Sequence, residues 1–443
     1  MTTKRLALLL AIALPLCAKA QQPWTLTQCI EHALVHNNEA QQQALNVQSK
    51  EHQLTAQRLG MLPSLNAGAS HNLTFGRAID YGSNSVSNDL QSTNLSLGAS
   101  VDLFRGLQRL RSSQQSQLDL QAARADADRI GNSIALNITA AYLQTLYSAE
   151  LVETQRRALN LSELQAERTQ QLVRAGSLPE GNMLEIEAQR ASDELNLVNA
   201  ENQLDLARLD LAQMLNLPQA DSFDIARPNI DSLATSLAIP SAAEVFGQAL
   251  QTMPQVRSAE LRVLSAEKGI DIARSGRYPS LSLDASISTG AIRYLDPVAH
   301  TNQPYAEQLR NNMSSAVGLS LRIPLFNGLQ TETNIANAKI SHSSAQLALQ
   351  NEKLQLYKTI QQAHTDALAA LKKLRASEQQ LHALQQSLRY TESKFNVGLL
   401  NALDYTTARS KLAEAEQGLL QAKYDLLFKT KILQFYQGLP LSI

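Results

Sequence analysis

The chain contains one plan twice, and that duplication limits its fold more than any other feature. Leu103-Phe104-Arg105-Gly106-Leu107 recurs as Leu325-Phe326-Asn327-Gly328-Leu329, 222 positions on. At the same offset, Ala175-Gly176-Ser177-Leu178 recurs as Val397-Gly398-Leu399-Leu400, and Leu217-Pro218 as Leu439-Pro440. Leu62-Pro63-Ser64-Leu65 recurs as Tyr278-Pro279-Ser280-Leu281 at an offset of 216, so the second copy has gained six residues between its first two landmarks. Residues 21–220 and 241–443 therefore form two like repeats, joined by a Pro-bearing linker at 221–240.

Each repeat opens with a helix expected to end at its Pro, Leu26 to Leu62 and Ala242 to Tyr278. Two strands follow, about 64–76 and 90–104 in the first copy and about 280–290 and 312–326 in the second. Leu95, Leu97, Ala99, Val101 and Leu103 alternate strictly with Asn94, Ser96, Gly98, Ser100 and Asp102. Val317, Leu319, Leu321, Ile323 and Leu325 continue that period of two in the second copy. A soluble sandwich is the competing architecture for such strands. Their length near ten residues, and small polar residues on one face, favour a lipid-facing side and a wet lumen. Four strands are too few to close a pore, so closure needs several copies of the chain.

After the strands, about seventy residues run almost without Gly or Pro, Leu107 to Arg174 and Leu329 to Asn396. A helix of that length extends about 100 Å. Ile360, Ala367, Leu374, Leu381 and Leu388 repeat every seven residues, with Ala363, Ala370, Ser377 and Leu384 between them, which predicts a coiled-coil seam. The returning helix, of roughly 35 residues, carries Leu184, Ala188, Ala191, Leu195 and Val198 as its expected apolar stripe. Two such half-length helices match one long helix. The fold class is thus mainly α with membrane β: a long coiled-coil helical barrel continued by a transmembrane β-barrel, with the linker as a belt midway.

Residues 1–20 read as a secretory signal: Lys4 and Arg5, an apolar run from Leu6 to Leu16, then Ala18-Lys19-Ala20. Cys17 raises a second possibility, a lipoprotein signal, although Leu16 is large for the position before an acylated cysteine. With Cys17 removed, Cys29 is the sole cysteine and reads as a small buried apolar residue. The balance of 39 basic and 40 acidic residues gives no long-range field to gather nucleic acid. Only 5% of residues are aromatic, which suits small-residue helix packing better than a large compact core.

These landmarks together resemble the TolC family of outer-membrane efflux and secretion channels. The likeness covers essentially all of the mature chain, including Trp24-Thr25-Leu26-Thr27-Gln28-Cys29-Ile30, Leu62-Pro63-Ser64-Leu65, both Phe-x-Gly strand exits and both glycine-bearing tip turns. It implies a homotrimer with a twelve-stranded barrel in outer-membrane lipid and a helical tunnel in the periplasm. It also implies docking onto a periplasmic adaptor protein joined to an inner-membrane pump. The tip residues expected to contact the adaptor are Ala175, Gly176, Ser177, Leu178, Val397, Gly398 and Leu399. Asp404 stands where family members can place a gating aspartate, and three-fold symmetry would bring its copies into a cation-selective ring. The family's second aspartate is here Thr407, and the first-copy counterpart of Asp404 is Asn182. A helix N-terminal charge is the competing reading of Asp404.

Chemistry is poorly supported. The sequence holds no phosphate loop, no G-x-S-x-G elbow and no cysteine pair at zinc spacing, so no catalytic residue, cofactor or enzymatic activity is assigned. His32 and His36 lie four apart on a helix without a third ligand, and are read as surface histidines rather than a metal site. A periplasmic coiled-coil scaffold without a pore is the alternative function. It accounts for the helices and gives no reason for the strand pairs.

Overall fold

The computed structural model describes residues 23–76, 78–80, 85–87, 89–217, 223–228, 239–295, 302–397 and 399–442. The signal at 1–20 with Cys17, most of the linker at 221–240, and Gly398 lie outside the described residues. Two compact units emerge, one within Met1–Gln43, Ala127–Met253 and Leu354–Ile443, the other within Ala44–Asp126 and Pro254–Lys353. Among the described residues no helix is long and apolar enough to cross a membrane.

The first repeat holds α1 (Leu26–His36), α2 (Asn38–Leu59), β1 (Ser64–Thr74), β2 (Ala78–Asp80), β3 (Ser85–Ser87), β4 (Leu90–Arg105), α3 (Gln108–Arg174) and α4 (Glu180–Met214). The second holds α5 (Ala242–Thr252), α6 (Pro254–Ser275), β5 (Ser280–Tyr294), α7 (Tyr305–Asn311), β6 (Ser314–Arg322), α8 (Gln330–Asn396) and α9 (Ala402–Tyr436). Helix lengths agree between copies: 11, 22, 67 and 35 residues each.

The opening helices are not continuous to the Pro as expected. Asn37 adopts an extended conformation between α1 and α2, and its Oδ1 accepts from Glu39 N at 2.9 Å. In the second copy the break falls at Met253, extended because Pro254 follows it. Two other bounds also move: β5 runs on to Tyr294, and β6 is shorter than the stretch 312–326.

In the second unit, β1, β4, β5 and β6 form one antiparallel sheet in that order. Register puts like residues in rows. Leu65, Ala99, Ala285 and Val317 lie side by side, as do Ala67, Leu97 and Ile287, and Val101, Leu283 and Leu319. On the opposite face run Ser64, Ser100, Asp284 and Gly318, then Asn66, Gly98, Ser286 and Ala316. No residue of β1 or β6 is buried, and Val317 and Leu319 are 76% and 64% exposed. The apolar rows extend along β5 from Leu281 to about Thr289, some 27 Å at ~3.4 Å per residue.

Beyond Ser288, where β6 ends, side-chain amides complete the edge of β5. Asn312 Nδ2 donates to Gly290 O (2.7 Å), Gln308 brackets Ile292 N and O (2.9 and 2.8 Å), and Asn302 brackets Tyr294 N and O (2.8 and 2.9 Å). Polar turn residues at alternate strand positions thus replace a partner strand. At the inner end of β4, Gly106 (φ 58°) admits the chain where a Cβ would lie 2.7 Å from Ser275 O.

The first unit is a helical pack. The predicted seam of α8 is buried at Ile360, Ala363, Ala367, Ala370 and Leu374 and half-buried at Ser377, Leu381, Leu384 and Leu388. Ala370 and Leu374 meet Ala422 and Leu426 of α9. The stripe expected on α4 is not the buried one. Leu184, Leu195 and Val198 are exposed, whereas Ile186, Asp193, Ala200 and Ala207 face inward. Both stripes have a seven-residue period; the inward one contains an aspartate, which an apolarity criterion passes over.

The core of this unit gathers Leu26 and Cys29 of α1, Ile138 and Tyr142 of α3, Leu211 of α4, Leu427 of α9, and Phe223 with Ile225 beyond α4. Burial pushes the Cys29 thiol up to about 12 and raises the Tyr142 hydroxyl, so both stay protonated. Trp24 pairs with Ile225 as an isolated parallel bridge, and Tyr142 Oη approaches Trp24 O (3.2 Å) and Ala226 O (2.7 Å). One phenol thereby ties the N-terminal segment to the start of the linker. Tyr142→Phe is expected to lower stability in detergent by about 1 kcal/mol, because it removes the phenol's hydrogen bonds to these carbonyls. An unchanged thermal or denaturant midpoint would refute that role.

Candidate functional site

The glycine-bearing tips are built by helix-ending chemistry. At the end of α3, Gly176 takes φ 74°, its N–H reaching Val173 O at 2.9 Å, while Ser177 N reaches Leu172 O at 2.9 Å. This paired pattern closes the helix through a left-handed residue that glycine adopts without strain. Pro179 then precedes α4 in an extended conformation. In the second copy Leu399 N reaches Lys394 O at 2.9 Å, the same 6→1 bond. The side chain of Asn401 caps α9 by accepting from Asp404 N at 2.8 Å.

Ala175, Gly176 and Ser177 are exposed, Leu178 is half-buried, and Val397 and Leu399 are 70% and 74% exposed. Large apolar side chains held in water at two neighbouring kinds of turn are suited to cover by another chain. Asp404 sits on the first turn of α9 and is exposed, where the helix N-terminus favours its negative charge.

Behind the turns lies a small core that unites both helical hairpins. Ala166, Ile186, Phe395, Ala402 and Tyr405 are buried together, with Phe395 stacked on Tyr405 at 5.0 Å and 12°. Burial raises the Tyr405 hydroxyl above its ordinary range. One step further in is a buried ionic network that sequence reasoning did not identify. Arg409 Nη2 donates to Ala158 O (2.5 Å), Ser162 Oγ (2.7 Å) and Asp193 Oδ2 (3.2 Å). Ser162 Oγ also donates to Asp193, Gln189 Nε2 donates to Asp193 Oδ1 (2.9 Å), and Ser410 Oγ donates to Gln189 Oε1 (3.3 Å). The Arg409 and Asp193 side chains are only 7% and 8% exposed. The available signal was Asp193 itself, a charge at seven-residue spacing within Ile186, Ala200 and Ala207.

Such a pair is costly to break. Arg409→Met leaves Asp193 buried without its cation, and is expected to cost about 3–5 kcal/mol. The double variant Arg409→Met/Asp193→Leu should recover most of that loss. Equal destabilisation of single and double variants, measured by denaturant unfolding in detergent, would show that the charges do not act as a pair.

Comparison with known proteins agrees with this architecture. A family model described as outer membrane efflux protein matches residues 29–217 and 245–438. The chain is similar to outer membrane protein TolC of Escherichia coli K12, 22% identical over 425 residues, covering 96% of this chain and 84% of the relative. It is 28% identical over 352 residues to the pyoverdine export outer membrane protein OpmQ of Pseudomonas aeruginosa, covering 76% and 67%. The solved outer membrane channel CmeC of Campylobacter jejuni superposes with a TM-score of 0.76 at 16% identity, covering 94% of this chain and 86% of that one.

Proposed function

The chain belongs to the outer membrane efflux protein family and serves as an outer-membrane exit duct of an efflux or secretion system, and we propose that it does so as a homotrimer gated at the tip turns. The observation that supports this reading best is the one-layer sheet. Its apolar face exposes Leu65, Leu97, Ile287, Val317 and Leu319, and its apolar rows match the ~25 Å band of a membrane barrel. Strands β1 and β6 present open edges, and lipid does not tolerate open edges. Three copies joined edge to edge would give twelve strands, with the Ser-, Gly- and Asn-rich face lining a wet lumen.

In this reading the exposed tip residues Ala175, Gly176, Ser177, Leu178, Val397 and Leu399 meet a periplasmic adaptor protein, which links the duct to an inner-membrane pump. Gly398 belongs to the same proposed contact by sequence. Asp404 from each copy forms the gate, its carboxylates attracting cations and repelling one another. The chain acts as a conduit and carries out no chemical step. A pore-free scaffold would leave the uncovered apolar face unexplained.

Single-channel recording of the detergent-purified protein, with its mass measured in the same sample, tests the proposal. A trimer with discrete, cation-preferring openings is the expected result; a detergent-independent monomer without conductance would overturn it. Asp404→Ala should raise ion leak, and unchanged conductance would remove the gate assignment while leaving the channel intact. Leu319→Arg should destabilise the inserted protein by about 2–4 kcal/mol. Ser320→Arg, on the opposite face, should be far milder, and similar losses for both would place neither face in lipid.

A further inference from the structure

Helix α1 carries two imidazoles to which a conduit gives no task. His32 and His36 are four residues apart, hence on one face of the helix. Their ring centroids lie 4.2 Å apart, with the planes 32° from each other. Trp24 closes one side, edge-on to His32 at 5.0 Å. A shallow recess of about 360 Å³, lined by Trp24, Gln28, Glu31 and His32, keeps the place open to solvent, and His36 is exposed.

Two rings side by side on one helix face, next to a solvent-open recess, are the geometric requirements of a chelating pair, and α1 meets both.

We propose that His32 and His36 bind a borderline divalent cation, Cu²⁺, Zn²⁺ or Ni²⁺, across the last turn of α1. Imidazole nitrogen suits these ions, whereas Mg²⁺ and Ca²⁺ require oxygen ligands. Such ions take imidazole nitrogens at ~2.0–2.1 Å. Among the described residues no set of three or more His, Cys, Asp or Glu is gathered for a metal, so solvent supplies the remaining ligands. Chelation here would lock the turn that immediately precedes the break at Asn37, whose Nδ2 holds Met214 O at 3.1 Å.

The chain contains a single Trp, and it touches the site. Fluorescence of Trp24 in the purified full chain therefore reads binding directly, with Cu²⁺ as a quenching probe and Zn²⁺ as a silent competitor. Saturable quenching at one Cu²⁺ per chain, reversed by Zn²⁺ and untouched by Mg²⁺, is the expected result. His36→Gln, an exposed substitution that leaves the fold in place, should weaken the Cu²⁺ affinity by about tenfold or more, and His32→Gln should do likewise. Equal affinity in His36→Gln would overturn the site, and so would the absence of saturable quenching in the natural chain.

Discussion

A sheet one layer thick cannot hold itself together in water, and the rest of this molecule follows from that constraint. Its outer strands β1 and β6 are exposed throughout, and the register gathers most apolar residues on one face and most polar residues on the other. Such a surface needs a hydrocarbon solvent on one side and closure at both edges. The duplication meets half of the second need within one chain, since β4 of the first repeat pairs with β5 of the second along their length. The side-chain amides of Asn302, Gln308 and Asn312 then finish the part of β5 that β6 leaves bare.

Much of this was legible in the sequence because it depends on periodicity. The period of two in β4 and β6, and the period of seven in α8, are properties of single elements and survive without knowledge of neighbours. The breaks at Asn37 and Met253 were missed because each turns on one backbone residue inside an otherwise helical pattern. Pro254 marked the second, and Asn37, a residue prone to caps, marked the first. Helix α7 lies in the stretch that holds the six-residue insertion, where no period is long enough to read.

The tip was legible in outline and opaque in its interior. Gly176 and the Asn401 cap follow local rules, so the first tip turn fell where the sequence placed it. Sequence had assigned the exposed face of α4 as its seam, because Leu184 and Leu195 are more apolar than Asp193. The structure inverts that choice: an aspartate faces inward because an arginine from the other hairpin awaits it. Pairings across 216 residues are not written in the pattern of either helix.

That distance has a further meaning for how the protein comes to be. A chain that emerges from its N-terminus presents Asp193 long before Arg409 exists in the same compartment. Until then the first hairpin carries an inward carboxylate with no cation, and its packing against the second hairpin is still to come. Completion of the last helix, α9, supplies that guanidinium, so two halves that look self-sufficient depend on each other at this point.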